Sequence, residues 1–523
     1  MPQARNAIRS ARERIALVAD DGSFEAWDAD LVSSDPLGFS DVKPYRERLA
    51  EAHARTGERE AVVCGQATLE GRPLVVIASE FGFLGGSIGT ATGDRVARAL
   101  ERARGSRLPV VALTASGGTR MQEGTLALLQ MAKLAAGVRR LRDDGLPYLV
   151  YLMHPTMGGV LAAWASLCTL LLAEPGAVLG FAGPRVVELL QGERLPEGVQ
   201  TAEHLLERGL VDGVVPHREL RGTLASVLRA AADRPPPVQS RSSAQPRAAR
   251  PTARRPQSEP GRRRDAWGSL LRARDPARPA ARELLEAWAE DLTPVRGDGV
   301  GRGDDPSCLA AVARVFGVPA VVVAQHRDLR AHGPARMGPA GYRKARRAIV
   351  LAHDLDLPLL TIVDTPGAEL SRAAEEGGLS MEIARCLSEL SRVRAPTLAV
   401  LLGEGGSGGA LALLACDRVV CAEHASLAAI APEGASAILY RNVERAPELA
   451  ATQGGASWEL ERFGIVDVVV PERPSAEREP EAFVARLGAT VEVELRALVA
   501  EDREFRLTTR ERRYRAIANP GST

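Results

Sequence analysis

The chain has 523 residues, 25% of them charged and 45% apolar or aromatic, with a net charge of +1. That composition excludes a disordered protein, a collagen and a membrane bundle, and the even charge balance gives no reason to expect a nucleic acid or a membrane surface as partner. Aromatic residues, at 4%, are too few to build stacking platforms for single strands.

Taken in chain order, the N-terminal MPQARNAIRSARERIALVAD holds no apolar stretch of signal-peptide length, so a cytoplasmic protein is expected. LPVVALTASGG, from Leu108, predicts a strand, and apolar residues then recur every three or four positions from Leu126 to Asp144, as on an amphipathic helix. YLVYLM predicts a second strand, which runs into His154-Pro155-Thr156-Met157-Gly158-Gly159. The apolar run Val160 to Ala173 is shorter than the roughly 20 residues that span a bilayer and reads as a buried helix. Arg234 to Arg264 is rich in Pro, Ser and Arg and almost free of large apolar residues, which predicts a disordered tether. The predicted units are therefore 1–233 and 265–523, with 234–264 between them.

Beyond the tether the pattern returns. Tyr342 to Asp356 has helical periodicity, LPLLTIVDTPG from Leu357 answers LPVVALTASGG, and TLAVLL runs into Gly403-Glu404-Gly405-Gly406-Ser407-Gly408-Gly409-Ala410. Setting Gly158-Gly159 against Gly408-Gly409 gives an offset of 250. RGLVDGVVP (208–216) then answers RFGIVDVVVP (462–471). One unit has been used twice, and strands alternating with helices make each copy an α/β unit with a covered sheet.

The chemistry is expected where strand meets helix. A glycine pair there lets a ligand approach without a Cβ in the way, and it leaves amide N–H groups free at a helix start, able to hold a developing oxyanion. Gly158, Gly159, Gly408, Gly409 and Ala410 are the candidate catalytic positions; tight turns with close helix packing are the structural alternative. GEGGSGG lacks the Lys-Ser/Thr of a phosphate-binding loop, and no G-x-S-x-G elbow is present. The eight histidines form no H-x-x-x-H pair, and the six cysteines, 64, 168, 308, 386, 416 and 421, form no C-x-x-C pair. No metal site is expected, and the thiols fit a reducing compartment. His154 is a further candidate beside the first turn. Two oxyanion sites without a nucleophile suggest enolate chemistry, with substrate or cofactor supplying the base.

Ala115-Ser116-Gly117-Gly118-Thr119-Arg120-Met121-Gln122-Glu123-Gly124, Pro155 to Val160, Gly180 to Val186 and Leu195-Pro196-Glu197-Gly198 resemble the β subunit of bacterial acetyl-CoA carboxylase carboxyltransferase. Gly341-Tyr342-Arg343-Lys344-Ala345, Asp364-Thr365-Pro366-Gly367-Ala368, Gly403 to Ala410 and Ser426 to Ser436 resemble its α subunit. The resemblance covers about residues 10–225 and 268–475. It implies two tandem crotonase-like domains and transfer of a carboxyl group from carboxybiotin, carried on a separate protein, to acetyl-CoA, giving the malonyl-CoA used in fatty acid biosynthesis. Carried over, the amides of Gly158 and Gly159 would hold the thioester enolate. Those of Gly408, Gly409 and Ala410 would hold the biotin ureido oxygen.

Gly85-Gly86-Ser87 and Ser116-Gly117-Gly118 would shape the CoA cleft, although Gly85-Gly86 is equally a plain turn. Arg343 and Lys344 would meet CoA phosphates or a carboxylate, or form a solvated helix face. The resemblance also implies a homodimer or larger assembly, with a biotin carboxyl carrier protein and a biotin carboxylase as partners. No Met-Lys-Met biotinylation tripeptide is present. The four-cysteine zinc ribbon that usually opens the β subunit is absent, so zinc is not carried over, and Glu369-Leu370-Ser371-Arg372 replaces the family's Tyr-Pro-Gly-Val. Propionyl-CoA or another acyl-CoA as acceptor, decarboxylation of a malonyl thioester, and a silent scaffold stand as the alternatives.

Overall fold

A computed structural model describes residues 10–183, 186–188, 195–196, 198–232, 265–300, 303–326 and 336–517. The expected tether lies outside the described residues, as do Pro184, Arg185 and Glu197 of the motifs quoted above and most of the loosely matched segment before Met337.

The first half forms β1 (Glu25–Trp27), β2 (Val62–Leu69), β3 (Arg72–Ser79), β4 (Val110–Ser116), β5 (Tyr148–Met157), β6 (Leu170–Ala173), β7 (Leu179–Gly180) and β8 (Gly213–Val214). The second forms β9 (Ala289–Pro294), β10 (Cys308–Val315), β11 (Val318–Gln325), β12 (Leu359–Thr365), β13 (Thr397–Gly406), β14 (Arg418–Ala422), β15 (Ser426–Ala428) and β16 (Val468–Val470). The sheets run β1-β2-β3-β4-β5-β6-β8, with β7 on β5, and β9-β10-β11-β12-β13-β14-β16, with β15 on β13. In each, the two pairings nearest the first strand are antiparallel and the rest parallel. The same topology twice is what the internal repeat predicts.

The duplication reaches single residues. β2 turns into β3 through Glu70-Gly71, at φ 51° and 73°, and β10 into β11 through Phe316-Gly317, at 51° and 75°. Two consecutive left-handed residues make the tight hairpin whose twist matches its strands. Val110 lies opposite Tyr148 and Leu359 opposite Thr397, so both strands of the pair shift by 249 positions between halves, and the same irregularity follows before Ser116 and before Thr365.

β4 and β12 are buried along their whole length, as parallel strands covered on both faces must be. Alternation sorts the first sheet's residues between two cores. Ala112, Tyr148, Val150 and Leu152 point into one that continues through the second half. Val111, Leu113, Leu149 and Tyr151 point into a smaller one closed by the helix His217–Ala232. Each buried Val or Leu side chain among them contributes about 1.5–3 kcal/mol. The halves meet along the helices Gly124–Asp143 and Leu379–Arg392, whose buried residues belong to the shared core.

One expected element is different. Val160 to Ala173 is buried, but it is not a helix. Gly158 to Trp164 form a succession of turns, a short 3-10 stretch covers Ala165–Leu167, and Leu170–Ala173 is strand β6. The turn bonds are irregular: Ala162 N–H reaches Gly158 C=O at 2.9 Å, whereas Ala165 N–H reaches five residues back to Val160 C=O at 3.1 Å. The counterpart after β13, Ser407–Leu414, is a regular α-helix. No helix among the described residues is long and apolar enough to cross a membrane.

Candidate active site

The sheet geometry fixes which turn residues correspond. With β4–β5 and β12–β13 related by 249 positions, Gly158 matches Ser407 and Gly159 matches Gly408. The glycine-to-glycine offset of 250 is one residue out. The backbone agrees: Gly158 has φ 58° and Ser407 φ 60°, both left-handed, and the neighbouring loops carry Gly118 at 112° and Gly367 at 126°. Each loop is braced alike, Ser116 Oγ accepting Gly118 N–H at 3.0 Å and Thr365 Oγ1 accepting Gly367 N–H at 3.2 Å.

The first half brings its predicted residues together. Gly117 N–H bonds Gly85 C=O at 2.8 Å, and Gly86 packs so closely on Ala115 that a side chain there would strike its carbonyl. A Cβ on Gly158 would lie 3.1 Å from Gly118 Cα, so the loop after β4 and the turn after β5 touch backbone to backbone. Gly158 spends its amide on Gly180 C=O at 3.0 Å. Gly159 N–H has no hydrogen-bond partner among the described residues.

In the second half the helix begins at Ser407 with Gly406 as its cap. In an α-helix the cap carbonyl accepts the first intrahelical bond, so the amides of the first three residues, Ser407, Gly408 and Gly409, have no partner within the helix. Ala410 is the fourth residue of this helix and is buried.

The two turns approach each other within this one chain. A Cβ on Gly159 would lie 3.3 Å from Met131 Sδ, and one on Gly408 would lie 2.8 Å from Met131 Cε. Met131, on the helix Gly124–Asp143, thus stands between them. Periodicity marked it only as one apolar residue of an amphipathic helix, and nothing in the sequence set it apart. Thr119, which the sequence marks only as part of the motif Ala115 to Gly124, has its hydroxyl where a Gly159 side chain would go, 2.5 Å away.

Three further side chains frame the site. Arg120, fully buried, donates to Glu60 at 2.6 Å, to Glu123 at 3.2 Å and to Ser87 C=O at 2.8 Å, so one guanidinium joins the loop after β4 to Gly85-Gly86-Ser87. Burial alone would raise the Glu60 carboxyl, but the Arg120 charge and hydrogen bond hold it down to about 2. Glu375, from the second half, accepts the amides of Phe181 at 3.0 Å and Ala182 at 3.3 Å and the Gln200 side chain at 2.9 Å, beside the carbonyl that holds Gly158. Burial pushes its carboxyl up, against those bonds. Thr125 donates its hydroxyl to Leu427 C=O at 2.6 Å, also across the halves.

Other predicted residues lie elsewhere. Arg343 and Lys344 are buried and paired, with Asp298 at 3.0 Å and Asp304 at 2.7 Å, rather than forming a solvated face. His154 accepts the Val178 amide at its Nδ1, at 3.2 Å. Among the described residues no group of three or more His, Cys, Asp or Glu is placed to hold a metal.

A family model described as acetyl co-enzyme A carboxylase carboxyltransferase-like matches residues 249–518. A Mycobacterium bovis protein named probable biotin-dependent acyl-coenzyme A carboxylase beta3 subunit is 46% identical over 96% of this chain and 97% of its own length. A Saccharopolyspora erythraea protein named acetyl-coenzyme A carboxylase carboxyl transferase subunits beta/alpha is 42% identical over 99% of this chain and 90% of its own. The chain belongs to this carboxyltransferase family of biotin-dependent acyl-CoA carboxylases. Its two halves stand in the β-then-α order.

Proposed function

We propose that the chain moves a carboxyl group from carboxybiotin, held on a carrier protein, to the α-carbon of acetyl-CoA, giving malonyl-CoA. One observation carries the reading: the turns after β5 and β13, one from each repeat, face each other across Met131 with backbone amides unspent. The Gly159 N–H stabilises the enolate oxygen that forms as the acyl-CoA loses its α-proton. Such a preorganised donor gains most at the transition state, when charge has developed. The amides of Gly408 and Gly409 fit the ureido oxygen of biotin, since a glycine pair leaves them open to a planar ring. Carboxybiotin supplies the carboxyl group and, once that is lost, a nitrogen basic enough to take the α-proton. The chain needs no basic side chain of its own, in keeping with a site made of glycine, threonine and methionine. Met131, unbranched and flexible, adjusts to the two ligands that meet there.

Gly85, Gly86 and Ser116 to Gly118 form the wall against which the CoA thioester lies. Arg343 and Lys344, being paired, hold their helix to Asp298 and Asp304 instead of meeting phosphate. A biotin carboxylase loads the carrier, and two or more copies of the chain assemble in the cytoplasm. A second reading, propionyl-CoA or a longer acyl-CoA as acceptor, is favoured by the acyl-coenzyme A name of the 46% identical relative.

Carboxylated carrier incubated with acetyl-, propionyl- and butyryl-CoA in turn is the test. Malonyl-CoA formed with the highest kcat/KM supports the first reading, and a preference for propionyl- or butyryl-CoA the second. Failure to carboxylate any of the three, with brisk loss of CO2 from malonyl-CoA, would overturn both.

A further inference from the structure

A cavity of about 480 Å³ opens between the helices Gly124–Asp143, Leu379–Arg392 and Arg503–Ala516. It lies towards the C-terminal ends of the first two, beyond Met131 and Ile383. Its volume is in the range of small-molecule sites, about 300–1,000 Å³, and larger than an inorganic ion needs.

Its lining is rich in arginine. Seven of the lining residues are Lys or Arg and two are acidic. Six of the seven have a carboxylate partner: Lys133 and Arg515 share Asp94, with Glu101 also on Arg515, Arg139 and Arg392 share Glu389, with Asp143 also on Arg139, Arg140 pairs with Glu511 and Arg510 with Asp417. Arg394 forms no ion pair among the described residues. Leu387 and Leu507 add an apolar wall. Burial pulls the Lys133 ammonium down to about 8, and Arg515 adds to that while Asp94 only partly offsets it. An anion that enters beside Lys133 would stabilise its charged form.

We propose that this cavity binds a phosphorylated organic anion of nucleotide size, its phosphates toward the exposed Arg392 and Arg394 and its uncharged part against Leu387 and Leu507. The cavity is separate from the glycine turns, and its occupant is not consumed in carboxyl transfer.

The probe is ATP, titrated calorimetrically into the full chain with CoA present in saturating amount. One ATP per chain is expected, at an affinity lowered tenfold or more in Arg392→Glu/Arg394→Glu. Ala136→Trp, which fills the cavity without changing its charge, should lower it similarly. Carboxyl transfer in nucleotide-free buffer should be unchanged in the double variant. Absence of binding, binding that saturating CoA removes, or undiminished binding in Ala136→Trp would each overturn the proposal. Inorganic pyrophosphate binding as tightly as ATP would overturn the assignment of an organic body. Because the readout is binding rather than turnover, it succeeds or fails independently of the carboxyltransferase reading.

Discussion

The turn after β5 and the helix after β13 are the same piece of chain folded two ways. Both leave a buried strand, both begin with a left-handed residue, and both end where the next parallel strand starts. Only the second is a regular α-helix, and the difference lies in its neighbours. Thr361 on β12 donates its hydroxyl to Leu413 C=O at 2.6 Å, satisfying a carbonyl near the helix end, and Gln325 on β11 donates to Gly409 C=O at 2.8 Å near its start. At the register of Thr361 the first sheet has Ala112, whose side chain has no donor, and at that of Leu413 it has the bulkier Trp164, whose indole N–H is buried with no hydrogen-bond partner among the described residues. A helix end without such partners is costly, so the first copy relaxes into turns. Duplication preserved the sheet and left the short connections free to specialise.

If the two turns serve two substrates, damage to each should appear in a different constant. Gly159→Val pushes a branched side chain against Thr119 and Met131, and Gly408→Val pushes one against Met131. Each is expected to lower kcat by about 10²–10³-fold, the usual loss on removing one oxyanion donor. Gly159→Val should also raise KM for acyl-CoA, and Gly408→Val KM for the carboxylated carrier. Initial rates with one substrate varied at a time check this, and identical patterns from the two variants would mean that the turns do not divide the labour.

The loops after β4 and β12 differ in charge at matched positions, Arg120 and Glu369. Arg120 is enclosed with Glu60 and Glu123, whereas Glu369 is half-buried and accepts the Ser371 hydroxyl at 2.6 Å. Arg120→Met leaves two carboxylates buried without their cation, which costs about 3–5 kcal/mol. Glu369→Gln keeps an acceptor for the Ser371 hydroxyl and breaks no ion pair among the described residues, so it should cost under about 1 kcal/mol. Chemical denaturation of the two variants against the parent measures the contrast.

Much of this was legible in the sequence. β4, β5, β12 and β13 stood out as continuous apolar runs because a parallel sheet covered on both faces leaves no polar side. The repeat itself was visible because strand–loop–strand spacing is conserved to the residue. The one-residue offset was not, since GEGGSGG has several glycines and any of them can be slid under Gly158. The sheet register decides the matter, and it places a serine there. The turns after β5 were also hidden, because a buried apolar run reads the same whether its carbonyls are capped or not. Glu375 is illegible in the sequence for another reason: its partners, Phe181, Ala182 and Gln200, are nearly two hundred residues away in the chain.

Glu375 links the halves, and its behaviour with pH tests the link. Burial raises its folded-state pKa above the ordinary value of about 4.3. Between those two values the folded chain binds more protons than the unfolded one, so stability falls as pH rises through that window. The cost of the buried charge is absent below the ordinary value and fully present above the folded one. Glu375→Gln, which keeps an acceptor for the Phe181 amide, should flatten that part of the stability–pH curve relative to the parent. An unchanged difference curve would mean that the carboxyl titrates alike in both states.

The smallest expected effect returns to the two copies of the turn. Thr361→Val keeps the shape of the side chain and removes the hydroxyl that Leu413 C=O accepts. Losing one such bond costs about 1 kcal/mol, with a further penalty of up to a few kcal/mol where the carbonyl is left buried and unpaired. If the clamps are what keep the second copy helical, amide exchange between Ser407 and Leu414 should quicken in Thr361→Val while that between Gly158 and Leu167, which has no such clamp, stays as it was. Exchange that rises equally in both would show that the shared core, not the Thr361 hydroxyl, determines which copy forms a helix.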